Sequence, residues 1–556
     1  MIESGTISKQ EDSNRIHLVI SQFLFLSGIV FLWPFTRLYF DNPDTFQYLS
    51  LARKYSEGNF HLAINAYWSP MLSWLISLLL IAGIPGLIAF KFMQIMLGSF
   101  MIYQWKKLLD LFSMSKWSRV ILLYTAVPFA LSYAMIHTSA DLLFLFSLLI
   151  FIRLLIRDLF HSDKRKHFYL LPFAGAFLYF SKAFGAPLFI FMLSAAELYR
   201  HYLKNDRGNL PLYFNRLTIF LLIIAPWIIL ISFKQGHFTV SEAATFNLSQ
   251  EVSPRAGQTT FLPVLHNQLT EPQDSLALSA WEAPGETLRE DNSGQPEEIS
   301  EFREFLKLIN RNLLSIWYYD FSRQPGIVFL ILLAIALILR TKFRDEIRHP
   351  EIFLSLVLIT AVYAGYSLIL FHYRYSWICM FLMLLISAVC LERIFETSQN
   401  RIPVLVILSA ICLLAIKRPV KEVLFSEDKD VSFFHLRMSL ASPITALEVN
   451  FRPEKELKEI LELFSNLPDE SMRFASLDNP AFDRDTYSRS LMIAYNKRWQ
   501  FIGQRDSINA NELAEHIIDY FIVWKKSHEN VEVPENFEQI LKDEKGTMIL
   551  YKTGSP

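Results

Sequence analysis

Residues 40–60, FDNPDTFQYLSLARKYSEGNF, follow the first long apolar run of the chain and set two carboxylates, Asp41 and Asp44, directly before a helical pattern. Tyr48, Leu49, Leu51, Ala52 and Tyr55 recur at helical spacing and Gly58 stops the run, so the segment reads as a short amphipathic helix and not as a membrane span. Its meaning depends on the apolar runs on either side.

Those runs are extensive. Of 556 residues, 52% are hydrophobic and 15% aromatic, a composition that points to a polytopic α-helical membrane protein in contact with a lipid bilayer. A bilayer is crossed by about 17 to 25 apolar residues. Candidates lie near 17–39, 87–105, 119–136, 140–157, 168–181, 183–199, 217–234, 325–340, 351–371, 375–391 and 402–417, about eleven helices in all. The first follows a polar stretch, 1–16, and lacks a small-residue cleavage site, so it is expected to be retained. A net charge of -1 gives no sign of nucleic-acid binding, and Cys379, Cys390 and Cys412 sit in apolar runs without metal-ligand spacing.

A further run, SPMLSWLISLLLIAG at 69–83, is short and begins at Pro70. If it lies in the interface, one set of connections carries Lys106, Lys107, Lys116, Arg119, Arg153, Arg157, Lys164, Arg165 and Lys166. Later members of that set carry Arg200, Lys204, Arg207, Arg216, Arg340, Lys342, Arg344, Arg348, Arg393 and Arg401. The opposite short connections carry only Lys182 and Arg374. Cytoplasmic loops gather Lys and Arg, so the N-terminus (1–16) is expected inside, with loop 40–86, loop 235–316 and the C-terminal region outside.

The expected organisation is a transmembrane domain at 17–422 and a small α/β domain at 423–556. In the latter EKELKEILELFSNL and NANELAEHIIDY read as helices, the second capped by Asn509 or Asn511, while RFASL, RWQFIG, YFIVWK and GTMILYK read as strands. No Gly-rich phosphate loop accompanies them. Packing or acceptor docking is the role this leaves.

Asp44 can be read two ways from residues alone: as an N-cap of the helix that follows, or as a general base taking a proton from an acceptor hydroxyl or amine. Neighbouring motifs bear on that choice. PDTFQYLSLARKYSEGNF, YWSPMLSWLISLLLIAG, HTSADLLFLF, FLYFSKAFGAPLFIF and HYRYSWICMFLMLL, in that order, resemble the membrane glycosyltransferases of the GT-C fold, in particular the branch of protein O-mannosyltransferases and lipid A aminoarabinose transferases (glycosyltransferase family 39-like). The resemblance spans most of 17–420 and departs at Ser69, where the branch has His or Lys.

The resemblance implies a polyprenyl phosphate sugar as donor, used on the non-cytoplasmic face. It implies Asp44 as catalytic base and Lys182 and Arg374 as cations for the departing phosphate. The acidic partners would be Asp41 and Asp141, and Tyr48, Lys91 and His137 further donor contacts. Each also has a plainer reading. Lys182, Arg374 and Lys91 could meet lipid headgroups or snorkel, Asp141 could neutralise Lys182 or cap the next helix, and His137 could be a packed histidine. Asp41, Asp44 and Asp141 could also supply oxygen ligands to a divalent metal, as in some related enzymes, although the nearer branch does without one. Tyr67, Trp68, Trp317, Tyr318 and Tyr319 suit either sugar stacking or a membrane interface. The WWDYG signature of oligosaccharyltransferases is absent. The acceptor expected is a glycolipid, polysaccharide or protein, and the location expected is a bacterial inner membrane with the C-terminal domain in the periplasm. The rival class is a transporter or lipid flippase, for which charges near the bilayer midplane and inverted repeats would be the marks.

Overall fold

A computed structural model describes residues 3–40, 42–160, 169–203, 210–252, 267–287, 298–322, 325–339, 348–398, 400–424, 452–468, 471–477, 484–524, 533–543 and 548–553. Asp41 lies outside them. The first half is helical: α1 (Glu3–Thr36), α2 (Asp44–Ser56), α3 (Phe60–Ala63), α4 (Met71–Ile81), α5 (Gly86–Leu109), α6 (Lys116–Met135), α7 (Asp141–Phe160), α8 (Leu170–Ser181), α9 (Gly185–Tyr202), α10 (Leu210–Gln235) and α11 (Ala243–Val252). After strand β1 (Gln268–Leu269) come α12 (Pro284–Thr287), α13 (Glu298–Ile316), α14 (Gly326–Leu339), α15 (Pro350–Ser367), α16 (Trp377–Ile394) and α17 (Ile402–Leu424).

All eleven apolar runs fall on helices. Among the described residues, seven helices are long and apolar enough to cross a membrane, or eight if α13 and α14, bent by 78° at their junction, count as one. The bundle turns apolar side chains outward: Phe233 is 89% exposed and Val30 74%. Such a surface suits lipid and not water. With 11 residues, α4 rises only about 16 Å, half a hydrocarbon core. It packs on α2 and α5, and Ser73 Oγ donates to Tyr48 O at 2.9 Å.

The chain closes with α18 (Arg452–Ser465), β2 (Arg473–Leu477), α19 (Arg484–Lys497), β3 (Gln500–Arg505), α20 (Ala510–Glu515), β4 (Tyr520–Trp524), β5 (Glu538–Lys542) and β6 (Met548–Lys552). Asn509 is the α20 cap, its side chain accepting from Asn511 and Glu512. The sheet order is β1-β3-β2-β4-β6-β5, with β3, β2 and β4 parallel and the other pairings antiparallel. The sequence reading has no counterpart for β5, α19 or β1. β1 comes from the middle loop, so the sheet is completed by a segment some two hundred residues upstream of its other strands. Gly503 makes room for it: at φ +151° it occupies backbone space L side chains avoid, and a Cβ there would sit 2.1 Å from Gln268 O.

The sheet and the bundle share one continuous core. Arg53 on α2 donates to Tyr495 O at 2.6 Å and stacks 3.8 Å over the Tyr495 ring, which docks α19 onto α2. At the far end of the bundle Asp158 accepts both Arg216 Nη1 (2.8 Å) and Nη2 (2.6 Å) and also pairs with Arg200, tying α7, α9 and α10 together.

Candidate active site at the sheet-bearing end

Asn42 and Pro43 start α2, and Asn42 Oδ1 accepts the Asp44 amide at 3.2 Å. Pro43 holds the N-cap position, so Asp44 is the first helical residue and not the cap. The Asp44 carboxylate stands in the first turn, where the helix dipole favours a negative charge, and its Oδ1 accepts from Trp281 Nε1 at 3.2 Å. α2 ends at Gly58, whose φ of +82° lets Asn59 N reach back to Lys54 O at 2.9 Å.

One turn beyond Asp44, Tyr48 is buried edge-on to Trp68, with centroids 5.2 Å apart. Burial, with Asp44 and Asp141 adding to it, pushes the Tyr48 hydroxyl well above its usual range, so it stays protonated. Tyr67, Trp68 and Trp281 form an aromatic wall beside it, with centroids between 4.6 and 6.1 Å apart.

Opposite stands a charged triad. Lys182, where α8 ends, donates to Asp141 Oδ1 at 2.8 Å, and Arg374 Nε lies 3.7 Å from Asp141 Oδ2. Ser139 Oγ donates to Asp141 Oδ2 at 2.9 Å and fixes the carboxylate. The Lys182 ammonium sits 3.4 Å over the Tyr375 ring, and Arg374 Nε and its backbone amide both reach His372 Nδ1 at 3.3 Å. Burial pulls Lys182 below the ordinary lysine range, countered by Asp141 and, further away, by Asp44. Two cations around one carboxylate leave the triad with one net positive charge.

The other predicted residues fall elsewhere. Lys91 is fully buried on α5 and donates to Tyr39 O and Met135 O, each at 2.7 Å. It stitches the ends of α1 and α6, which fixes the approach to α2, and its ammonium is committed to carbonyls. His137 pairs with Glu422 at 2.8 Å, and Glu422 also accepts from Arg418 at 2.9 Å. Arg418 in turn stacks 3.3 Å over Tyr373, the neighbour of Arg374. His137 therefore belongs to an adjoining cluster that buttresses the Arg374 turn. Trp317, Tyr318 and Tyr319 are 49%, 40% and 38% exposed, outward of this cluster.

Trp281 and Asp320 are buried, hydrogen-bonded residues that sequence reasoning did not single out. Asp320, buried in the single π-turn after α13, accepts from Tyr363 Oη at 2.9 Å. The π-turn itself, sitting at a helix junction, is the signal that could have marked it. Among the described residues no group of three or more His, Cys, Asp or Glu could hold a metal ion, and Asp141 is already engaged by two cations. Asp41, the third carboxylate of the divalent-metal reading, lies outside the described residues.

No protein-family model and no curated protein matches this chain. Solved structures do. The chain superposes on ArnT from Cupriavidus metallidurans in the apo state, with a TM-score of 0.53 at 12% identity, covering 100% of this chain and 99% of that one. The same protein bound to undecaprenyl phosphate gives 0.52 at 11% identity, with 97% of each chain covered. The oligosaccharyltransferase of Archaeoglobus fulgidus, in complex with zinc and sulfate, gives 0.50 at 12% identity over 97% of this chain and 73% of that one. The protein therefore has the GT-C fold of membrane glycosyltransferases. Within that fold it is similar over its whole length to ArnT, the lipid A aminoarabinose transferase, sheet domain included.

Proposed function

We propose that the protein is a membrane glycosyltransferase that moves a single sugar from a polyprenyl phosphate to an acceptor on the non-cytoplasmic face. The observation that carries this reading is a carboxylate, Asp44, at a helix N-terminus beside a net-positive triad: its neighbour Thr45 Oγ1 donates at 2.6 Å to Thr138 O, in the turn that leads into Asp141. The undecaprenyl phosphate held by the ArnT structure supports a lipid phosphate as the donor's carrier.

The chemistry is a single displacement. Asp44 takes the proton of the acceptor hydroxyl or amine as that group attacks the anomeric carbon. The bond from that carbon to the phosphate oxygen breaks, and Lys182 and Arg374 receive the charge that develops there. Asp141 holds both cations in place before the donor arrives, so little reorganisation is needed at the moment of reaction. One displacement inverts the anomeric carbon and forms no sugar-enzyme bond. Tyr48, kept protonated, is placed to donate to the sugar or phosphate.

The test is transfer of radiolabelled sugar from a panel of polyprenyl phosphate sugars, with purified protein and host lipid extract as acceptor. Wild type is expected to consume one donor, and Asp44→Asn to lose about 10²- to 10⁴-fold in rate while still binding it. A variant as active as wild type would remove Asp44 from the chemistry. Wild type inert towards every donor, with native membranes supplied as acceptor, would remove the glycosyltransferase reading.

A further inference from the structure

We infer that the C-terminal sheet acts on the active site through a strap, residues 268–282, whose Trp281 is a positioning residue for Asp44. This rests on the proposed role of Asp44 and adds to it a task for the sheet.

The strap is anchored along its length to the sheet. Gln268 and Leu269 pair with Gln504 and Gly503 as β1, and Thr270 N donates to Ile502 O at 2.9 Å. Gln500 Nε2 reaches Asp274 O at 2.9 Å and Ala277 O at 3.2 Å, and Phe501 N reaches Leu278 O at 2.9 Å. Beyond Leu278 the strap leaves the sheet and meets the helices around the site. Ser279 Oγ accepts from Gln47 at 3.3 Å, and Glu282, 1% exposed, pairs with Lys54 and accepts from Ser50 at 2.5 Å. Asn65 Nδ2 donates to Glu282 O at 2.7 Å and Trp68 Nε1 to Trp281 O at 3.3 Å. The backbone on both sides of Trp281 is thus fixed, from the sheet on one side and from α2 and the loop after it on the other.

The indole of Trp281, 5% exposed, spends its only hydrogen-bond donor on Asp44 Oδ1. That bond fixes the rotation of the carboxylate and directs Oδ2 as the oxygen that takes the proton. A carboxylate free to rotate would still ionise and still leave donor binding intact, but it would reach the productive geometry less often.

The proposal predicts a split in kinetic constants. Trp281→Phe keeps the ring and removes the N–H. It is expected to lower kcat about tenfold, with KM for the lipid donor changed less than about twofold, and Trp281→His, which restores an N–H, to recover part of the loss. Gly503→Ala, pressing on Gln268 O, and Thr270→Pro, which removes the donor to Ile502, are expected to lower kcat in the same way. Combined with Trp281→Phe they should cost little more than either change alone. Melting curves confirm that each variant is folded, and two anchor variants keep the comparison open if one is not. With Asp44→Asn inactive, an undiminished kcat in Trp281→Phe, or additive losses in the double variants, would overturn the strap and leave the base in place. Activity retained in Asp44→Asn would instead overturn the reading on which the strap rests.

Discussion

Lys182 is held by two opposed influences: a buried setting that disfavours its charge and a carboxylate 2.8 Å away that favours it, with burial the stronger. Its pKa therefore lies below the ordinary lysine value of 10.5. On raising the pH, the ammonium is lost before an exposed lysine would lose its charge, and the triad loses its positive excess with it. The alkaline limb of kcat/KM for sugar transfer is accordingly expected below pH 10.5 in wild type. Lys182→Arg, which keeps its charge at any attainable pH, should move that limb upward while lowering the neutral-pH rate, because the longer guanidinium cannot keep the compact ammonium's 2.8 Å contact with Asp141 Oδ1 in the same place. Lys182→Met should cost about 10²- to 10³-fold. A limb that stays in place in Lys182→Arg would show that another group titrates. At this scale Asp44, Asp141, Lys182 and Arg374 could be singled out because each sits in a short motif beside an apolar run, and the structure gathers the last three into one cluster. Trp281 was not, since it meets Asp44 from 237 residues away, in a stretch whose sequence reads as loop.

Among the elements, α2 does most to join the parts of the molecule. Its first turn bears Asp44, its middle Ser50 and its last turn Lys54, and its outer face receives α19. Lys54 is 1% exposed and bonded to both Glu282 and Asp274. Burial disfavours its charge, but the two carboxylates outweigh that, and its pKa is raised above 10.5. The sign follows directly. A group held more tightly protonated in the folded state gives its full stabilisation below 10.5 and loses it as pH rises through the higher folded value. Lys54→Met leaves Glu282 buried without its partner and is expected to cost about 3–5 kcal/mol at neutral pH, read as a lowered melting temperature in detergent. The variant should also lack the wild type's extra fall in stability at strongly alkaline pH. Lys54→Met combined with Glu282→Gln should recover part of the loss. A single variant as stable as wild type would show that the pair does not secure the strap. Elements such as α5, α10 and α17 were legible because an apolar run of that length has no other use. β1 was not, because two residues carry no periodicity and the pairing is permitted by the absence of a side chain at Gly503.

Over the whole molecule the two ends of the bundle differ in what they do with charge. At one end Asp158 pairs with Arg200 and Arg216 in the core, and the connections between the helices that bear them carry much of the loop Lys and Arg in the sequence. At the other end Asp44 meets Trp281 of the aromatic wall, while Lys182 and Arg374 gather around Asp141. An identity of 11–12% with ArnT over matching lengths means that few individual residues carry the fold. The order of apolar runs, the short helix after the first of them and the asymmetry of loop charge are what made the architecture legible in this one sequence. That asymmetry makes a prediction of its own, since basic connections stay in the cytoplasm. The three native cysteines are buried, so single reporter cysteines can be placed against a silent background. Ser507→Cys, exposed on the turn after β3, is expected to react with a membrane-impermeant maleimide in intact cells. Ser113→Cys, exposed between α5 and α6, is expected to react only once the membrane is opened. The reverse pattern would put Asp44, Lys182 and Arg374 on the cytoplasmic face and would exclude transfer on the non-cytoplasmic side, because the sheet, the strap and the triad all belong to one end of the bundle.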